Sequence, residues 1–272
     1  MISILLTFTA LGVYLMAGLG FWRRILSTPA DRRPGSIRKI PVLLGWMAAI
    51  LHTGLLWPSM IHDGALDLSL GYVFSLVCLM TVLVYLFAAL TGNVVNLGLF
   101  VMPVGLLGFV VGKFLPGSHY LVSDMHQVQW WHMGLALLAF GFLCIAAAQA
   151  VLLFIQDRHL HSHRPGSLLP ALAPIQTMER NLFRLILIGV VLLTANLVTG
   201  MGFQWVEGGR PLEFNHHILL SIIAWSAFVA LLVGHKIYGW RGAVAARWTM
   251  AAFGILLLAY FGSRFVSTII LS

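Results

Sequence analysis

His52, His132 and His235 are the side chains in this sequence best placed to do chemistry, because each interrupts or bounds a long apolar run. A neutral imidazole has one nitrogen that donates and one that accepts, and the accepting nitrogen ligates metal ions. Inside an apolar run such a group is costly, so it marks a ligand, a pathway or a hydrogen-bonded partner. His52 sits in Ala-Ile-Leu-His-Thr-Gly, and on a helix entered at Ile40 it lies ~18 Å along the axis. His132 follows Trp130-Trp131, an indole pair that reads as an interfacial belt. The two histidines are therefore expected at comparable depth near one face. Two imidazoles at one depth ligate a single haem iron axially if their helices are neighbours. His216 and His217 open a later run on the same side, and His217 is a candidate for the same cluster. His235 closes that run ~25 Å farther along, in Gly-His-Lys-Ile-Tyr-Gly-Trp-Arg-Gly, and needs a site of its own or serves as a helix-end cation.

Against each of these stands a plainer alternative: a core histidine bonded to a neighbouring carbonyl, or a belt histidine wetted by interfacial water. The remaining histidines carry less. His159, His161 and His163 alternate in a loop with Pro165 and Gly166 and read as solvated. His62, His119 and His126 fall in loops with no recognisable spacing. Cys78 and Cys144 lie in apolar runs and read as small hydrophobes. There is no Cys-x-x-Cys-His, phosphate loop, His-Glu-x-x-His or Ser/His/Asp set.

The elements that position these residues follow from composition. Of 272 residues 60% are hydrophobic and 9% charged, against roughly 25% charged in a soluble domain. Lipid is the solvent that tolerates such a chain. Continuous apolar runs at 2–22, 40–57, 69–91, 94–113, 129–155, 182–203, 217–235 and 248–270 are each long enough to span. Continuous rather than alternating runs predict helices, so the expected fold is an all-α polytopic bundle of about eight transmembrane helices in a single integral membrane domain, 1–272. Residues 2–22 lack a basic leader and read as a retained span. Gly18, Gly134, Gly141 and Gly200 are expected to permit close helix approach, with Asn196 and Thr199 as interhelical hydrogen-bond groups.

Thirteen of the sixteen Lys and Arg fall in or beside the loops after spans 1, 5 and 7. Lys113, Arg210 and Arg264 are the other three. The positive-inside rule makes the majority side cytoplasmic and both termini periplasmic in a bacterial inner membrane. The net charge of +8 thus reports topology and not nucleic-acid binding. All eight Asp and Glu lie in or next to loops, which argues against an ion pump built on buried carboxylates.

The second half carries a series of short motifs in order. Met178-Glu179-Arg180-Asn181-Leu182-Phe183 leads to Gly189-Val190-Val191-Leu192-Leu193-Thr194 and Thr199-Gly200. Leu220-Ser221-Ile222-Ile223-Ala224-Trp225 follows, then Gly234-His235, Gly239-Trp240-Arg241-Gly242 and Ala259-Tyr260-Phe261-Gly262-Ser263-Arg264. This run resembles the cytochrome c assembly membrane-protein family of CcsA-type and HemX-like proteins, nearest its YpjD branch, over roughly residues 125–270. The resemblance implies a membrane protein that handles haem, with histidines as iron ligands at His132 and His235, and His52 as an early-helix histidine. It implies a b-type, non-covalent haem, and cytochrome-assembly or transporter membrane proteins as partners. Two departures stand out. Known members carry a tryptophan-rich outer loop ending in Trp-Asp, whereas the stretch from Val206 to His217 is short, with only Trp205 nearby. The family's last outer histidine is also missing near Gly262-Ser263-Arg264. The expectation is a haem-binding protein that supports cytochrome c biogenesis, with His52 and His132 as the preferred iron pair and His217 and His235 as further candidates. The competing reading is a non-haem accessory subunit of a transporter or other membrane complex. An enzyme is disfavoured by the lack of a cysteine nucleophile and of buried carboxylates.

Overall fold

The computed structural model describes residues 2–26, 39–62, 64–90, 94–115, 117–123, 126–161, 174–208 and 216–262. Among these residues eight helices are long and apolar enough to cross a membrane. They are α1 (Ile2–Leu26), α2 (Ile40–Met60), α3 (Leu70–Leu90), α4 (Gly98–Phe114), α5 (Gln127–His161), α6 (Ile175–Gly208), α7 (His216–Tyr238) and α8 (Gly242–Leu257), the last running into a π turn at Leu258–Gly262. Helices are the open-ended structures that satisfy every backbone group in lipid, so the expected all-α membrane fold is the one the chain adopts. Two starts differ from the apolar runs. α6 begins at Ile175 rather than near 182, and α8 at Gly242 rather than near 248. The segments Thr177–Asn181 and Arg241–Arg247 are polar enough to end a hydropathy window while still favouring helix.

The chain divides into two compact units. In the first, α1 to α4 pack together. Gly105, Gly108 and Gly112 recur at helical spacing on α4, and a Cβ on any of them would fall less than 3 Å from Val82, Cys78 or Ser75 of α3. That bare face brings the two backbones together, as small residues do between membrane helices. The sequence places this role at Gly18, Gly134, Gly141 and Gly200; a Cβ at Gly18 would meet only Met102 at ordinary contact distance and one at Gly134 would meet nothing within 4 Å, whereas one at Gly200 would fall 2.9 Å from His132 of α5. Pro41 is tolerated because it sits in the first turn of α2, where an N–H has no partner to lose.

A small antiparallel sheet closes one end of this unit, a feature not expected from the sequence. β1 (Ile61–His62) pairs with β2 (Ala65–Asp67), which pairs with β3 (Leu121–Val122), in the register Ile61 to Leu66 and Leu66 to Val122. Gly64 turns the hairpin at φ 83, a conformation that glycine adopts without strain. Asp67 is buried at its centre. Its Oδ1 accepts from the N–H groups of Ser69 (2.9 Å) and Tyr120 (3.1 Å), and its Oδ2 from Nδ1 of His119. Burial alone would raise the Asp67 carboxyl; the His119 bond and the two backbone N–H bonds outweigh it and hold the carboxyl below its ordinary range.

The second unit contains α5, the membrane part of α6, α7 and α8. A Cβ at Gly189 of α6 would fall less than 3 Å from Leu143 of α5, and Trp225 of α7 donates its indole N–H to Thr194 of α6 at 2.8 Å. Phe140 of α5 packs against Phe253 of α8, 5.3 Å between ring centroids. The Gly-Trp-Arg-Gly segment is the turn from α7 to α8. Gly239 (φ 67) and Gly242 (φ 53) take left-handed backbone that other residues rarely adopt. The turn folds Trp240 back over Gly234, where a Cβ would collide with the indole.

Candidate functional site

Histidine is buried or half-buried in both units, and the two units differ in which ring nitrogens are engaged. In the first unit His52 of α2 is 0% exposed. Its Nδ1 lies 2.9 Å from the Tyr14 hydroxyl of α1, and its Nε2 lies 2.9 Å from the Ser75 hydroxyl of α3. A neutral imidazole has one donor and one acceptor, so one hydroxyl donates to the ring and the other accepts from it. Phe109 of α4 meets the ring edge-on, 5.1 Å between centroids. All four helices of the unit therefore hold this one ring. Past Ser75 a cleft lined by Ser59, Lys113 and Leu55 has room for about one water.

In the second unit His132 is half-buried near the start of α5, and its Nδ1 lies 3.1 Å from Thr199 Oγ1 of α6. The Thr199 hydroxyl has one proton, directed to the carbonyl of Ala195 or Asn196, each 3.0 Å away. When that proton stays on the helix the oxygen accepts from Nδ1 of His132, which leaves the lone pair on Nε2. Gly200 makes room for the ring, since a Cβ there would lie 2.9 Å from its Cε1. One turn earlier on α6 the buried Oδ1 of Asn196 has no partner among the described residues, and an orphaned acceptor in a membrane interior marks a place for a donor.

His235 ends α7 in the same way. Its Nδ1 lies 2.9 Å from the Trp240 carbonyl, which can only accept, so Nδ1 is the protonated nitrogen. The ring stacks on Phe183 of α6, 3.5 Å between centroids and 15° from parallel. The Gly239–Gly242 turn thus has a second consequence: by folding back it places the carbonyl that fixes the tautomer of His235. His217 stands in the first turn of α7, at the end of the unit where α5 begins; its side chain lies outside the described residues, as do 209–215 of the short outer stretch and Ser263-Arg264.

An iron-bound imidazole offers one lone pair and commonly donates its other N–H to a carbonyl or other acceptor. His235 is arranged this way, and His132 is when the Thr199 proton stays on its own helix; His52 belongs to the first unit, and while Tyr14 and Ser75 hold it neither nitrogen is free. Among the described residues no three His, Cys, Asp or Glu side chains converge on one point. Single imidazoles suit a metal whose other positions are already filled, as haem iron in its macrocycle is, better than a bare ion. The donors in the second unit therefore fit haem. Sequence reasoning passed over Tyr14, Ser75 and Phe183. A hydroxyl inside an apolar run was the available signal for the first two, and an aromatic in an apolar helix gave none for the third.

The chain is similar to several known proteins. The family described as cytochrome c assembly protein matches residues 40–271. The inner membrane protein YpjD of Escherichia coli K12 is 31% identical over 245 residues, 88% of this chain and 90% of that protein. A 28.8 kDa protein of Azospirillum brasilense is 34% identical over 140 residues, covering 52% of each chain. The protein HemX of Bacillus subtilis is 26% identical over 144 residues, 53% of this chain and 51% of its own. With its eight apolar spans, the chain is a multi-pass inner-membrane protein and belongs to the cytochrome c assembly protein family.

Proposed function

We propose that the protein binds and hands on haem in support of cytochrome c assembly, with iron taken non-covalently, as a b-type haem, on Nε2 of His132 and of His235 at opposite ends of the second unit. The observation that carries this reading is the shared arrangement: in both rings Nδ1 lies at hydrogen-bond distance from a fixed oxygen, Thr199 Oγ1 at 3.1 Å and the Trp240 carbonyl at 2.9 Å. Haem bound there would supply an iron that accepts imidazole nitrogen. Thr199 and the Trp240 carbonyl orient the imidazoles, Phe183 limits rotation of His235, and Gly200 leaves space beside His132. His217, in the first turn of α7, would be the further residue to hold the iron in this reading. His52 would have to give up Ser75 or Tyr14 to bind iron, so its role is helix packing. On the positive-inside rule the basic-rich side would be cytoplasmic, with His132 and His217 towards the periplasm and His235 towards the cytoplasm.

The test is the absorption spectrum of the full chain purified from haem-replete cells, with haem quantified after extraction. A Soret band and haem approaching one or two per chain are expected. A chain that stays free of haem even after loading would overturn the proposal and favour the accessory-subunit reading.

A further inference from the structure

The sheet at the end of the first unit brings together two histidines that lie 57 positions apart in sequence, His62 on β1 and His119 just before β3. Their ring centroids are 5.5 Å apart with planes inclined at 61°. We propose that these two imidazoles form a binding site for a borderline divalent transition-metal cation of the copper or zinc class, separate from the histidines assigned to haem, with Asp67 as the positioning residue.

Three observations carry the proposal. The first is the carboxylate behind His119. Asp67 is 0% exposed, and its Oδ1 is occupied by two backbone N–H groups, leaving Oδ2 for Nδ1 of His119 at 2.5 Å. A carboxylate held in this way accepts, so Nδ1 of His119 carries the hydrogen and the lone pair lies on Nε2. This is the carboxylate–histidine arrangement that orients metal ligands and raises their basicity. The second is exposure: the His119 side chain is 62% exposed and His62 is exposed beside it, so a cation reaches both without opening the fold. The third is spacing. With metal–nitrogen bonds of about 2.0–2.1 Å, two imidazoles on adjacent positions of one cation bring their ring centroids to roughly 4.5–5.2 Å, so the observed 5.5 Å has to close by only a few tenths of an ångström to about one ångström.

The strand pairing makes the spacing a property of the fold. β1 and β3 both pair with β2, and Asp67 of β2 bonds both the ring of His119 and the N–H of Tyr120. No third His, Cys, Asp or Glu among the described residues completes the set, so water fills the remaining positions. Such a site exchanges its cation instead of depending on it to fold. Nitrogen donors of this kind rank Cu²⁺ above Zn²⁺, which makes Cu²⁺ the sensitive probe.

The experiment titrates Cu²⁺ into the detergent-solubilised full chain, with His159, His161 and His163 replaced by alanine to remove a competing tract, and reads the electron paramagnetic resonance spectrum. The first equivalent is expected to show coupling to two imidazole nitrogens. His62→Ala, which removes an exposed ring with no hydrogen bond among the described residues, should leave thermal stability unchanged, reduce the coupling to one nitrogen and weaken binding at least tenfold. Asp67→Asn should keep two nitrogens but weaken binding by about 10–100-fold, the usual cost of losing an orienting carboxylate. Unchanged nitrogen count and affinity in His62→Ala would overturn the site, and unchanged affinity in Asp67→Asn would overturn the positioning role of Asp67.

Discussion

Replacing His132 with alanine is expected to lower haem occupancy at its end of the second unit by about tenfold or more, because losing an iron ligand costs more than the ~1.4 kcal/mol that a tenfold change in affinity represents. Little else changes with the substitution. Thr199 Oγ1 loses its donor but still hydrogen-bonds a carbonyl on its own helix, so the local fold loses little. Asn196 Oδ1 was already without a partner among the described residues. The ring is half-buried and packs against Gly200, so its removal leaves a gap beside α6 without uncovering a charge. Thermal stability should therefore move little while haem is lost, and extracted haem per chain measured alongside the melting temperature separates the two. Occupancy equal to that of the unmodified protein would remove His132 from the ligand set.

For His52→Ala the opposite pattern is expected: a large loss of stability with haem retained by the protein that stays folded. The substitution breaks two interhelical hydrogen bonds and leaves the buried hydroxyls of Tyr14 and Ser75 facing a cavity. At about 0.6–2 kcal/mol per membrane hydrogen bond, with a cavity term added, the cost is roughly 2–5 kcal/mol. His52→Gln, which keeps a donor and an acceptor at similar reach, should recover part of it. The check is denaturation followed through the first unit, together with haem content of the folded fraction. A stable His52→Ala protein that has lost its haem would make His52 an iron ligand instead of a packing residue.

Much of the fold was legible because it follows from composition. Eight apolar runs in a chain with so few charges have few other ways to satisfy their backbone. What escaped the sequence was set by contacts between elements. The polar first turns of α6 and α8 read as loop because hydropathy ends before the helix does. Strands of two and three residues are too short for any alternation to register. Close approach at Gly105, Gly108 and Gly112 depends on the face of α4 that meets α3, and a glycine count does not reveal it. The histidines divide in the same way. That His52, His132 and His235 interrupt or end apolar runs was visible in the sequence. Whether a ring nitrogen is free was not, because it depends on Tyr14, Ser75, Thr199 and the Trp240 carbonyl, three of which lie on other helices and the fourth beyond a turn. His62 and His119 carried no signal, since the pairing of β1 and β3 with β2 makes them neighbours.

The most direct test of haem ligation in the second unit is a ligand swap read spectroscopically. His132→Met retains an axial donor of different softness, so haem should remain while the ligand-sensitive bands of the ferric protein, followed by electron paramagnetic resonance and near-infrared magnetic circular dichroism, shift. The same exchange at His52 should leave those bands where they are. Identical spectra for His132→Met and the unmodified protein, or a shift produced by His52→Met instead, would contradict the claim that the second unit takes haem iron on His132.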